Sequence, residues 1–155
     1  MWEDDDDNEP DPDYDPGEEM KKLNALPIYQ KAMEILDVTE SIVDLLDKED
    51  PMSEMHRQLM MEDAMIIGPK LAGAHAMDDY ILKMENAVII KIHVRSLLTH
   101  TASLKMEGLV DIQYLQLLRN EIEAFRLLFL EWIAGFEIDS SKDPDGWGLF
   151  VPEKE

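Results

Sequence analysis

The chain has no cysteine. That excludes a disulfide scaffold, a thiol nucleophile and a thiolate metal site, and it suits a reducing compartment. Basic residues are scarce: 14 Lys and Arg stand against 35 Asp and Glu, a net charge of −21 over 155 residues. Such a chain repels phosphate backbones and anionic lipid at long range, which argues against nucleic acid or a membrane as partner. No apolar run approaches the ~20 residues that span a bilayer. The opening Met1-Trp2-Glu3-Asp4 has neither the basic nor the apolar part of a secretory signal. The expectation is a cytoplasmic protein.

Catalytic signatures are also missing. Carboxylate-bridged metal pairs in helical bundles use Glu-x-x-His, but Ser53, Ala72, Ile90 and Leu97 stand three residues before the four histidines. His93 and His100 lie seven apart on one helix face and could share a site with a neighbouring helix. Packing or an interface accounts for such a pair more simply. Gly68-Pro69-Lys70-Leu71-Ala72-Gly73 has the glycine spacing of a phosphate loop, but Ala74 and His75 replace the Lys and Ser/Thr that reach phosphate and magnesium. There is no Gly-x-Ser-x-Gly elbow, and no carboxylate pair stands out as acid and base. No enzyme activity, metal or cofactor is expected, and elemental analysis would test for the metal.

What is present is helical periodicity in a chain that is 45% hydrophobic. Pro27 suits a first helical position, and Ile28, Ala32, Ile35, Thr39, Ile42 and Leu46 follow at spacings of four and three. This first predicted helix covers 27–47. Asp50-Pro51 starts a second over 51–76, with a kink or short break at Gly68-Pro69. A third runs over 78–107, from an Asp78 cap to a left-handed stop at Gly108. Its centre, Val88 to Val94, has strand propensity, but no turn signal interrupts the thirty residues around it. The fourth, over 111–138, carries Leu115, Leu118, Ile122, Phe125, Phe129, Trp132 and Phe136. Phe125→Asp should abolish folding. Short loops make neighbouring helices antiparallel. The fold expected over 23–138 is all-α, an antiparallel up-down four-helix bundle.

The flanks differ from this core. Residues 1–22 hold 11 acids and 2 bases, with prolines at 10, 12 and 16. Such a segment buries too little to order itself and is expected to be a disordered acidic tail. A solubilising role is the simpler reading, and a bait for a basic partner or a nucleic-acid mimic is the other. Residues 139–155 form a turn-rich extension ending in an aromatic cluster. Trp147, Leu149 and Phe150 are expected to dock on the protein or on a neighbouring subunit. Failing that, they form a motif for a partner groove.

Two surfaces suggest association. Leu127-Leu128-Phe129-Leu130 is apolar all round its helix, and Val88 to Val94 is similar, so Val88, Ile92, Leu127 and Leu130 are candidates for an oligomer interface. Lys91, Arg95, Arg119 and Arg126 are the basic residues central to the last two helices and the candidates for nucleic-acid contact. Glu123 lies between the two arginines of the last helix and could pair with them. Met52, Met55, Met60, Met61 and Met65 crowd the second helix and are read as core filling.

Leu26-Pro27-Ile28-Tyr29-Gln30-Lys31-Ala32 resembles the first helix of the bacterial four-helix-bundle proteins encoded by ribosomal RNA intervening sequences. The accessory proteins of diversity-generating retroelements are similar to that group. Ile66 to Gly73 resembles the family's broken second helix, and Asp78-Asp79-Tyr80-Ile81-Leu82 the start of its third. The resemblance covers roughly residues 25–137. It implies a bundle without enzymatic activity that assembles into a ring, commonly a pentamer. For the retroelement branch it implies binding of nucleic acid and a reverse transcriptase through basic surfaces. Met60-Met61-Glu62-Asp63 stands where the family has basic residues, so no binding residue carries over. The expected function is a non-enzymatic, homo-oligomeric adaptor or scaffold with an unidentified protein partner. The alternative is a nucleoprotein accessory subunit whose basic residues gather in a ring.

Overall fold

Three of the helices begin on a proline, each where a missing N–H costs nothing. They are α1 (Pro16–Ala25), α2 (Pro27–Val43) and α3 (Pro51–His75); α4 (Tyr80–Glu107) and α5 (Ile112–Ala134) follow. The computed structural model describes residues 11–139, 143 and 145–153, and the chain is all-helical over them, with no strand.

The first helix, α1, corrects the expectation of disorder at its C-terminal end. Asp15 caps it, accepting from the Gly17 N–H at 2.9 Å. Glu18 and Glu19 lie at its positive end, Lys22 lies at its negative end, and Leu23 is buried. The helix packs on α2. Local capping and one apolar anchor thus order residues 16–22, which composition alone places with the tail. Residues 1–10 of the expected tail lie outside the described residues.

Helix α2 buries Ile28, Ala32, Ile35, Thr39 and Ile42, and Leu46 is buried just beyond it. It ends at Val43 rather than 47, because Leu45 and Leu46 close tighter turns onto the Ile42 and Val43 carbonyls. Asp50 caps α3, accepting from the Ser53 N–H and hydroxyl at 3.2 and 2.8 Å. Gly68-Pro69 does not break α3, which continues to His75. Proline removes one ladder bond, to Met65, but Pro69 faces solvent while Ile67, Leu71 and Ala74 are buried around it. Tertiary packing holds the helix through the defect. The glycines there lie within a helix, so no phosphate loop forms.

The cap of α4 is Asp79, one residue later than expected, accepting from the Leu82 N–H at 3.1 Å. Gly108 takes the left-handed conformation at φ 68°. Helix α5 ends at Ala134, short of 138, and Phe136 turns edge-on against Trp132 with centroids 4.7 Å apart.

Helix α2 packs against both α3 and α5, and α4 packs against the same two helices. Ile35, Met60, Ile67, Ile90, Leu97, Leu104, Leu118 and Phe125 fill the space between them, each contributing about 1.5–3 kcal/mol by burial. Lys31 of α2 reaches Glu121 of α5 at 2.9 Å and also pairs with Glu34. Its pKa is raised, first by the hydrogen bond to Glu34 and then by that to Glu121. Of the five methionines of α3, Met60 fills the core and Met61 packs partly buried against it, whereas Met52, Met55 and Met65 are exposed.

Candidate interaction groove

Helix α4 packs more extensively on α3 than on α5. The space left between α4 and α5 is a groove of about 660 Å³. Its floor comes from the 3.6-residue period of both helices. Val94 and Leu98 line it from α4, and Ile122, Phe125, Phe129 and Ile133 from α5. Its rim carries Lys91 and Arg95 on one side, Arg119, Glu123 and Arg126 on the other. All four basic residues singled out in the sequence therefore meet in one place. They put four cations and one carboxylate around an apolar trough, in a chain of net charge −21.

Two rim arginines are held in position. Arg126 grips Glu123 through Nε and Nη2 at 2.9 and 2.6 Å. This pairing lowers the Glu123 pKa and raises that of Arg126. Arg119 does not share that carboxylate. It donates instead to the Thr101 hydroxyl of α4 at 2.9 Å. Lys91 and Arg95 are exposed and have no ion-pair partner among the described residues.

Of the apolar candidates, Leu130 lines the groove. Ile92 is 55% exposed and Leu127 54%, while Val88 is half-buried. The C-terminal motif is not docked on its own chain: Trp147 is 79% exposed, Leu149 58% and Phe150 39%. Within the segment the Gly146 N–H donates to the Asp143 carbonyl and the Gly148 N–H to the Asp143 carboxylate, and Gly146 and Gly148 take the left-handed conformation. The expectation of intramolecular docking therefore fails: the rings of the described segment stay in water.

A second polar feature lies between α3 and α4. His56 and Asp63 stand seven apart on α3, opposite His93, His100 and Glu107, also seven apart, on α4. The contacts run in series. Glu107 Oε2 to His56 Nε2 is 3.3 Å, His56 Nδ1 to His100 Nδ1 2.8 Å, and Asp63 Oδ1 to His93 Nδ1 2.8 Å. His100 Nε2 faces Asp63 Oδ2 across 4.0 Å. If His56 donates Nε2–H to Glu107, its Nδ1 accepts from His100, whose Nε2 then lacks a proton. That tautomer agrees with Asp63 Oδ2 being buried without a hydrogen-bond partner. Burial, then the nearby His56, lowers the His100 pKa, while Asp63 acts the other way.

The sequence-level pair His93 and His100 does meet a neighbouring helix, with His56 and Asp63 as partners not foreseen. The matching seven-residue spacings on the two helices were the available signal. Among the described residues no group of three or more His, Asp or Glu is arranged to hold a metal ion. No described helix is long and apolar enough to cross a membrane.

Comparison with protein-family models, curated proteins and solved structures finds no match. The groove, the exposed apolar residues of α4 and α5 and the polar ladder carry the functional reading.

Proposed function

We propose that this protein is a non-enzymatic, self-associating helical module that serves as an oligomeric adaptor or scaffold. Its four long helices form an antiparallel up-down bundle, and copies join through α4 and α5. The observation that carries this reading is the apolar surface left in water there: Leu130 is exposed in the lining of the open groove, and Ile92 and Leu127 are exposed on the same two helices. A second apolar hollow, with Val38, Ile42, Leu45, Tyr114 and Leu117, lies between α2 and α5. Two unlike apolar surfaces on one chain suit a head-to-tail contact, which closes into a ring when the rotation per step allows. The family that the chain resembles builds such rings, commonly pentamers. Light scattering coupled to size exclusion tests the reading. A mass several times the 17.9 kDa of the chain is expected at tens of micromolar, and a monomer at that concentration rejects it.

The convergence of Lys91, Arg95, Arg119 and Arg126 favours a second reading, a nucleoprotein accessory subunit that binds RNA or a reverse transcriptase-like partner through this rim. Repetition around a ring would concentrate the charge. Binding of a single-stranded RNA that weakens steeply with salt would support it, after removal of residues 1–10. No binding at low salt ends it.

A further inference from the structure

The C-terminal segment and the α4–α5 groove are each incomplete, and each has what the other lacks. Trp147, Leu149, Phe150 and Val151 form an exposed apolar cluster with no cover on their own chain. Asp143 and Asp145 precede the cluster and Glu153 follows it. The groove has an apolar floor of Ile122, Phe125 and Phe129 beneath a rim of arginines and Lys91. We infer that residues 145–153 of one copy of this chain dock in the α4–α5 groove of a second copy. The inference rests on the self-association reading and names its means.

Size and charge both agree. The groove, at about 660 Å³, is in the range of pockets that take large apolar ligands. It follows α5 from Gln116 to Ile133, a rise of roughly 25 Å at 1.5 Å per residue. Nine residues in extended form reach about 30 Å, enough to run its length. Aromatic rings over guanidinium groups gain from cation–π attraction, and the flanking carboxylates meet opposite charge at the rim. Arg95 and Lys91, without partners among the described residues, are the cations most open to such a contact.

The second copy is favoured over the chain's own groove because the segment, although long enough to return, leaves Trp147 exposed. Phe136 is held against Trp132, with the Lys83 ammonium 5.4 Å from its ring centroid. The chain is thus led toward Lys83, two turns N-terminal to Lys91 at the groove end of α4. The ten residues 135–144 reach about 33 Å, so the segment has the length to return, yet Trp147 stays 79% exposed.

The test uses a fluorescein-labelled peptide of residues 139–155 and the full chain carrying Trp147→Ala with Phe150→Ala, which leaves the groove empty. Anisotropy should show saturable binding, weakened about tenfold or more by Arg95→Glu with Arg126→Glu. Light scattering of the native chain should show a larger mass than that of the Trp147→Ala, Phe150→Ala chain. Circular dichroism shows that each variant is folded. Absence of saturable peptide binding overturns the inference, as does binding indifferent to the arginine changes. If the native chain is multimeric and the doubly substituted chain keeps the same mass, docking is overturned while self-association stands. If the peptide binds but the native chain is a monomer, the segment serves its own groove and both ideas fall. RNA that binds in an Arg95-dependent way where the peptide does not also overturns the inference and assigns the groove to nucleic acid.

Discussion

His100 shows how much one side chain can depend on its neighbours. It is enclosed by His56 and Asp63 of α3, with His93 and Glu107 along its own helix completing the ladder. Burial and His56 hold its pKa below the ordinary 6.5. As pH falls through 6.5, the unfolded chain takes up a proton that the folded chain refuses. Stability should therefore be lost from about pH 6.5 downward until the folded pKa is passed, and restored as pH rises. His100→Asn keeps a donor toward His56 and removes the titration, so it should flatten that slope in urea unfolding between pH 5 and 7. An unchanged slope would move the effect to another group. Gly68 offers a second test. A Cβ there would meet the Met33 Cε at 2.7 Å and Tyr29 at 3.7 Å. The methionine end is flexible, so it can swing aside, and a helical glycine costs roughly 0.5–1 kcal/mol relative to alanine. Gly68→Ala should raise stability by about 0.5 kcal/mol in urea unfolding. A loss above ~1 kcal/mol would show that Met33 is held rigidly.

Helix α3 carries an internal proline yet remains one helix from Pro51 to His75. Pro69→Ala restores an N–H to the ladder at an exposed position. The expected gain is about 1–3 kcal/mol, measured as a higher thermal midpoint with the helical circular dichroism unchanged. Legibility varied among the helices for a physical reason. Ile28, Ala32, Ile35, Thr39 and Ile42 read directly as one face because α2 is buried on one side only. Helices α3 and α4 face each other partly through His56, Asp63, His93 and His100. Polar residues interleave with their apolar ones, so periodicity marked their existence but not which side met which partner. Helix α1 was missed because its signals are a cap, a proline and a single buried leucine, set within an acidic stretch.

Large apolar side chains stay exposed on α3, α4 and α5, and self-association is proposed through Ile92 of α4 with Leu127 and Leu130 of α5. If copies meet there, charges introduced at exposed Ile92 and Leu127 should separate them without harming the fold. Ile92→Glu with Leu127→Glu should lower the mass by light scattering to that of one chain. Its thermal midpoint at low concentration should stay within about 3 °C of the parent. A variant that keeps its mass removes these two positions from the interface. The polar rim predicts a second dependence. Contacts through Lys91, Arg95, Arg119 and Arg126 are exposed and screened by salt, whereas apolar contacts are not. If rim charges contribute, the mass should fall as ionic strength rises.

Chain composition and the order of residues already contained the helical class, the prolines and glycines that bound most elements, and the inward face of α2 and α5. These depend on local geometry and on a period that any helix must obey. The meeting of Lys91 and Arg95 with Arg119 and Arg126 did not follow from that information. It depends on how far α4 stands from α5, and that distance is set by side chains of all the packed helices together. The same holds for Asp63 finding His93 and His100 across a helix pair. It holds too for Trp147, whose apolar character is plain in the sequence but whose exposure is a property of the folded chain's surface.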